Sequence, residues 1–554
     1  MTDWPTVTEA APIPQSARQY FVRMRDGVRL ATDVYLPSGE GMFPAILVRL
    51  PYDKNSEYVF MDAVARRATQ AGYALVVQDV RGKFRSEGEA LGPVNEAHDG
   101  FDSISWIAAA EWSDGRVGMF GDSYYGFTQY AAVSSGHPAL RAIVPRVTST
   151  RLGDFGLVEG DGVKDIPWVT GAMYQRQCWS GRYLYGKVPD FTVRPLTSAF
   201  EETFGQTEPR SPWFDSLVPY THPGRIFPDG DPLGARPVPT LHCVGWWDNL
   251  AIPHMRDVEA FEAVPGWAAV QHLWLDSTDH QGNHIDHAGA VDQDGHEVED
   301  ESFESMLDEY IEPALRFLDV YLKGVGSPQD IPRVHWHLAH AGYRNDESWP
   351  PPAAKTATLY LGGLEEMNSD AGVLGEDRPT EIEQGVLRFD PEHPLSSVTS
   401  NSFTYMVDYP DEHAAASRPD VAIFETEALS EDLDLAGPVY LWARVASTAV
   451  TADVFARLLD VGPDGSAHLI VRGQAEFTSP DEQTLRRIEL GHTGYRVRAG
   501  HKLRLQLASS DFPEYALNPG NGENRWTATD FRPATHTLTT DAASPARLDL
   551  TVLP

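Results

Sequence analysis

With 554 residues, the chain is too long for a single hydrophobic core, and its length argues for three or four domains. Lys and Arg number 44 against 80 Asp and Glu, a formal net charge of −36 that excludes nucleic acid and anionic membrane surfaces as partners. Hydrophobic residues at 42% and charged residues at 22% place the chain among globular proteins and exclude the disordered and fibrous classes.

Cys178 and Cys243 lie far apart and fit neither a disulfide framework nor a metal-binding spacing. Met1-Thr2-Asp3-Trp4-Pro5 does not open a signal peptide, and no apolar run reaches the roughly 18 residues that span a bilayer. A cytoplasmic protein is the expectation.

Residues 20–36 alternate apolar and polar around Asp26-Gly27, which reads as an antiparallel hairpin. Residues 44–50 and 73–79 are apolar runs of strand length, as buried parallel strands require, and helical periodicity occupies 58–71 and 97–110. Val117-Gly118-Met119-Phe120 then runs into Gly121-Asp122-Ser123-Tyr124-Tyr125-Gly126 and at once into a helix-compatible segment. A strand, a Gly-flanked serine and a helix are the parts of a nucleophile elbow, whose sharp turn lifts the serine hydroxyl above the sheet edge. Gly121 and Gly126 would allow strand and helix to approach closely, although the general pattern has glycine where Tyr125 stands. Ala142-Ile143-Val144-Pro145 adds a strand. Strands alternating with helices predict a doubly wound, mostly parallel α/β sheet with its working loops at the strands' C-terminal ends.

Between 147 and 237 the apolar strand runs vanish, and Trp168, Tyr174, Trp179, Tyr183, Tyr185, Phe204 and Trp213 mix with Gly, Pro and Asp, which reads as an inserted helical cap. The sheet resumes at 238–245 and 270–276. A helix over 302–323 carries Met306, Tyr310, Ile311, Leu315, Leu318 and Leu322 on one stripe, with Pro313 as its kink or start. After Trp349-Pro350-Pro351-Pro352, short alternating runs between Gly, Pro and Asp turns predict a β-sandwich of jelly-roll type. The expected division is 1–146 and 238–350 for the α/β domain, 147–237 for the cap and 351–554 for the jelly roll.

A serine nucleophile needs a base within hydrogen-bond reach and an acid to orient that base. In α/β-hydrolases these follow in the order Ser, Asp or Glu, His, each on a loop after a strand. Past the cap, the first carboxylate in such a place is Asp248, in Gly245-Trp246-Trp247-Asp248-Asn249, and the next strand ends in a region offering His280, His284 and His287. Those histidines, with Asp276, Asp279 and Asp286, also raise a metal site, but no Glu follows the first histidine as in a zinc protease.

Several further stretches carry a resemblance. They are Asp26-Gly27-Val28-Arg29-Leu30-Ala31-Thr32-Asp33, Arg49-Leu50-Pro51-Tyr52-Asp53-Lys54, Gln78-Asp79-Val80-Arg81-Gly82 with Ser86-Glu87-Gly88, and Trp112-Ser113-Asp114-Gly115-Arg116-Val117-Gly118-Met119. With Gly121-Asp122-Ser123-Tyr124-Tyr125-Gly126, the chain resembles, over nearly its whole length, the cocaine esterase-like and Xaa-Pro dipeptidyl-peptidase family of α/β-hydrolases. That family includes α-amino-acid ester hydrolases and some glutaryl-cephalosporin acylases. Its elbow reads Gly-x-Ser-Tyr-x-Gly, which accounts for the position of Gly126, and its architecture is an α/β-hydrolase domain with inserted helical cap and C-terminal β jelly roll.

The resemblance implies Ser123 as nucleophile, Asp248 as acid and His280 as base, with Tyr52 and the Tyr124 N–H as oxyanion donors. It implies no cofactor and no metal. Two departures lie beside the site. The family's Gly-Pro-Trp-x-His is Asp276-Ser277-Thr278-Asp279-His280 in this chain, and its Trp-Tyr-Asp-Gly is Trp246-Trp247-Asp248-Asn249. Trp168, Trp246 and Trp247 are candidates for an aromatic substrate pocket, and Asp154, Glu159, Asp161 and Asp165 for holding a substrate amine.

The reading is a serine hydrolase acting on a small-molecule ester, with an amide or peptide (dipeptidyl peptidase or acylase type) as the second substrate class. A homo-oligomer is compatible with the sequence. A non-catalytic sugar binder using the jelly roll is the reading from a different class, and the complete Ser–Asp–His set weighs against it.

Overall fold

The computed structural model describes residues 6–151, 159–160, 162–207, 227–289, 300–368, 370–399, 401–481 and 483–554, with backbone only at 159–160 and 300–303. Strands β1 (Arg18–Arg23) and β2 (Arg29–Tyr35) form the expected hairpin, with only Val22 fully buried on the outer strand. Strands β3 (Phe43–Leu50) and β4 (Ala74–Asp79) are buried almost throughout, as their continuous apolar sequence demands of strands covered on both faces. They are followed by β5 (Ser113–Asp122) and β6 (Leu140–Arg146), then by the two-residue arms β7 (Glu159–Gly160) and β8 (Val163–Lys164). After the cap come β9 (Thr240–Gly245), β10 (Gln271–Asp276), β11 (Val334–Leu338) and β12 (Gly342–Asp346).

The first sheet runs β1-β2-β4-β3-β5-β6-β9-β10-β11-β12. From β4 to β11 every neighbouring pair is parallel, while β1, β2 and β12 close the ends antiparallel. Helices α1 (Met61–Gln70), α2 (Glu96–Ala108), α3 (Ser123–Ser134), α4 (Val169–Trp179), α5 (Leu196–Phe204), α6 (Ala251–Glu262), the one-turn α7 (Pro265–Ala268) and α8 (Asp300–Leu318) complete this half. α1 and α8 pack on the face presenting Ile46, Val48 and Leu50, and α2, α3 and α6 contribute to the core on the face presenting Ala45 and Leu47.

The stripe of α8 differs from the expected one by a residue at its start. Leu307, Ile311, Leu315 and Leu318 face the core, whereas Met306, 100° away on the helix, is 40% exposed. Pro313 lies inside the helix, and a wide π turn over Asp319–Lys323 keeps Leu322 buried.

Within 147–237 the described helices are α4, α5 and a 3₁₀ turn at Pro232–Gly234, and the remaining described backbone is mostly irregular rather than helical. Trp213 lies outside the described residues. The β8 arm pairs with a strand of the C-terminal half (Phe477↔Val163), and α4 and α5 share an apolar cluster with Ala516 and Trp526. The cap is thus anchored to the C-terminal half of the chain.

Beyond Trp349 the described chain is all-β apart from helical segments of one or two turns: β13 (Lys355–Gly362), β14 (Gly372–Gly375), β15 (Glu383–Phe389), β16 (Ala422–Glu425), β17 (Leu433–Ser447), β18 (Ala452–Val461), β19 (Ala467–Phe477), β20 (Arg486–Val497), β21 (Lys502–Ala508), β22 (Ala534–Thr540) and β23 (Arg547–Val552). Its core is continuous with that of the first half, because Val244, Trp246, Trp247, Met255 and Val258 share one cluster with Leu435, Leu469, Leu490 and Tyr495. Among the described residues no helix is long and apolar enough to cross a membrane.

Candidate active site

The chain leaves β3 for β4 on one side and returns as β5 on the other, so β3 and β5 flank a topological switch point. Such points open a crevice at the strands' C-terminal ends. Tyr52 follows β3 there, and Ser123 follows β5.

At the elbow, Asp122 is extended (φ −103°, ψ 158°) and Ser123 takes φ +51°, a left-handed conformation that a non-glycine residue rarely adopts. Two glycines make the turn feasible. A Cβ at Gly121, whose φ is +146°, would lie 2.0 Å from the Tyr125 ring, and one at Gly126 would lie 2.6 Å from Thr148. Gly121→Ala is therefore expected to destabilise the fold by about 3 kcal/mol or more, from overpacking and backbone strain together, as urea denaturation would measure. The Ser123 carbonyl accepts from Thr148 Oγ1 at 2.6 Å. Because α3 begins at Ser123, the Tyr124 N–H has no partner within the helix and is directed at the Tyr52 oxygen.

The Tyr52 hydroxyl reaches both the Ser123 side chain and the Tyr124 main chain. Its ring is buried edge-on between Tyr58 and Tyr125, with centroids at 5.9 and 6.2 Å. Burial pushes the phenol well above its ordinary pKa, so it remains a neutral hydrogen-bond donor.

Asp248 lies in the turn after β9 and His280 in the loop after β10. His280 Nδ1 donates to Asp248 Oδ1 at 2.7 Å, and the same oxygen accepts from Leu250 N at 3.0 Å. Both side chains are buried, at 5% and 0% exposure. Phe403, from the all-β half, stands edge-on to the His280 ring at 4.7 Å and stacks on Trp168 at 5.7 Å.

The loop bearing His280 is tied down by Asp279. Its carboxylate accepts from Gln281 N, Asn283 N and Met406 N, each at 3.0 Å, and from Asn283 Nδ2. Burial nonetheless dominates and pushes the Asp279 pKa up to about 6. The folded state then holds this proton between pH 4 and 6 while the unfolded chain releases it, so the parent loses stability as pH rises through that window. Compared with Asp279→Asn, which carries no such proton, the loss is expected to be on the order of 3 kcal/mol between pH 3.5 and 7, measured by urea unfolding of both proteins.

Ser123, Tyr52, Tyr124, Trp168 and His280 line one cavity of about 1550 Å³. On its wall, Arg146 Nε donates to Asp122 Oδ1 at 2.9 Å, and the Arg146 guanidinium lies 4.7 Å over the Tyr310 ring.

Several expectations are corrected. Trp246 and Trp247 do not line this cavity. Their indole N–H groups donate to the carbonyls of His337 (3.1 Å) and Leu469 (2.9 Å), and Trp246 stacks on Trp349 at 5.1 Å, so both are packing residues between the two halves. Asp165 pairs with Arg256 at 3.2 Å away from the cavity. Asp154, Asp161 and the Glu159 side chain lie outside the described residues.

The histidines also separate. His284 Nε2 lies 3.4 Å from Asp276 Oδ1, whereas His280 is bound to Asp248, and His287 is exposed. The imagined metal cluster spanning His280 and His284 is therefore split. A different group, Asp276, His284 and His337, brings its ligand atoms within 4.8 Å of one another. Cys178 and Cys243 are both free and buried. Phe403, Arg146 and His337 were not reached by sequence reasoning, since no local pattern marks them.

Residues 26–282 match the family model for X-Pro dipeptidyl-peptidase (S15 family), and residues 326–549 match that for the X-Pro dipeptidyl-peptidase C-terminal non-catalytic domain. The cocaine esterase of Rhodococcus sp. (strain MB1 Bresler) is 28% identical over 91% of this chain and 92% of its own length. Among solved structures, an aminopeptidase from a marine sediment archaeon (Thaumarchaeota archaeon) superposes with a TM-score of 0.79 at 21% identity, covering 100% of this chain and 99% of its own. An α-amino acid ester hydrolase gives 0.77 at 23% identity, covering 99% of both chains. These two structural likenesses establish the fold.

Proposed function

The chain belongs to the cocaine esterase-like and X-Pro dipeptidyl-peptidase family of serine hydrolases, and on that premise we propose that it cleaves carboxylic esters through an acyl-enzyme on Ser123. One observation carries the reading: the strained serine shares a cavity with His280, which is bonded to a buried aspartate, while Tyr52 touches both the serine side chain and the Tyr124 main chain.

In this reading His280 Nε2 takes the proton of Ser123 as Oγ attacks the ester carbonyl, and Asp248 fixes the imidazole tautomer by accepting from Nδ1. The carbonyl oxygen becomes an oxyanion between the Tyr52 hydroxyl and the Tyr124 N–H, where preorganised donors stabilise charge that exists only in the transition state. The imidazolium protonates the departing alkoxide. Water, deprotonated by the same histidine, then releases the acid and restores Ser123.

Peptide-bond cleavage is the alternative within this family, and the two are separable by turnover of p-nitrophenyl acetate against an alanyl-prolyl p-nitroanilide. Ester turnover with an initial burst and negligible anilide cleavage is the expected result. Anilide turnover exceeding that of the ester would reverse the assignment.

A further inference from the structure

We propose that Asp276, His284 and His337 form a binding site for one divalent metal ion of the zinc type, which joins the loop bearing His280 to strand β11. Asp276 is the last residue of β10, and the parallel register Leu275↔Trp336 sets His337 beside that strand end. His284 returns to the same place because the loop folds back on itself through the Thr278↔His284 bridge. Residues distant in sequence are thus assembled by the sheet and one tight loop.

Three features give this cluster the character of a ligand set. The donor atoms converge: His284 Nε2 is 3.4 Å from Asp276 Oδ1, and all three donors fall within 4.8 Å of one another. Ligands of a four-coordinate zinc ion, at about 2.0–2.1 Å from the metal, stand about 3.4 Å apart, so a closure of up to about 1.4 Å by side-chain rotation completes the set. His284 Nε2 is buried and directed into the cluster, where the Asp276 carboxylate is its partner, and it makes no hydrogen bond outside.

The outer partners also match what metal-bound residues require. His337 Nδ1 is engaged by Ser277 Oγ at 2.7 Å, leaving Nε2 for a metal. His284 Nδ1 accepts from the Asp286 main-chain N–H at 3.2 Å and lies 3.5 Å from the Asp286 carboxylate, so coordination through Nε2 would move the ring proton to Nδ1, where that carboxylate would accept it. Asp276 accepts from Ser277 N at 2.8 Å and from the Tyr343 hydroxyl at 3.1 Å, which holds the carboxylate in place. Two imidazoles and one carboxylate favour zinc and its borderline neighbours over calcium or magnesium, which prefer oxygen ligands alone. Asp276 and His284 line the Ser123 cavity, so the ion would stand on its wall, four residues from His280. Its part would be to stiffen that loop, with no role in bond cleavage.

The test uses full-length protein without a histidine tag, stripped with a chelator and titrated with zinc chloride against a chromogenic zinc indicator. One zinc per chain at micromolar or tighter affinity is expected, with at least tenfold weaker binding in His337→Gln and in Asp276→Asn. His287→Gln, an exposed neighbour outside the cluster, should bind as the parent does. Circular dichroism of the metal-free variants identifies any that fail to fold, and X-ray absorption of the zinc-loaded parent, showing two imidazoles in the first shell, decides the matter without them. Absence of micromolar binding in the parent, undiminished binding in both variants, or a first shell lacking two imidazoles overturns the proposal. Repeating the titration in Ser123→Ala separates its outcome from that of the hydrolytic reading.

Discussion

Ser123→Ala is expected to lower kcat for p-nitrophenyl acetate by about 10⁵–10⁶-fold with no loss of folded protein. Alanine tolerates φ +51° no worse than serine does, and the Thr148 hydroxyl still reaches the residue-123 carbonyl, so the elbow keeps its shape. The His280–Asp248 pair does not depend on the lost hydroxyl. His280→Ala should cost about as much, and the double variant no more than either, because in the proposed mechanism the two residues act as one nucleophile–base unit and their effects do not add. Multiplicative losses in the double variant would show instead that the two residues act in separate steps, and that His280 is not the base for Ser123.

The second large effect belongs to Tyr52→Phe, expected to lower kcat by about 10²–10³-fold with KM little changed. Phenylalanine fills the same space between Tyr58 and Tyr125, so only the O–H is removed, and stability should shift by no more than about 1–2 kcal/mol. In the proposed mechanism the loss falls on kcat, because the donor would be matched to an oxyanion that does not exist in the ground state. Its neutrality matters too: a phenol held far above its usual pKa donates across the whole neutral and alkaline range, so this contribution should be independent of pH from about 6 to 9. A Tyr52→Phe enzyme with raised KM and unchanged kcat would make Tyr52 a substrate-packing residue instead.

Much of the architecture was legible because it depends on local patterns. Continuous apolar runs marked β3 and β4 as strands buried on both faces, and strand-to-loop endings marked Ser123, Asp248 and the region of His280, His284 and His287, while the family resemblance singled out His280 and Tyr52. Side-chain direction was not legible. Trp246 and Trp247 neighbour Asp248 in sequence, yet the turn after β9 sends the Trp246 indole to a carbonyl of β11, two strands away in the same sheet, and the Trp247 indole to a carbonyl of β19, which only the docking of the two halves brings within reach. Phe403 escaped notice for the same reason, since it meets His280 across 123 residues of chain through domain packing. The cap's aromatic richness suggested helices where much of the described backbone is irregular, because aromatic packing stabilises either form equally well.

The most direct test of nucleophilic catalysis by Ser123 is mass spectrometry of the enzyme acid-quenched during the p-nitrophenyl acetate burst. One acetyl group per chain is expected, on the peptide containing Ser123, with no adduct in Ser123→Ala. An acetyl group on another residue, or a burst that persists in Ser123→Ala, would contradict the acyl-enzyme mechanism.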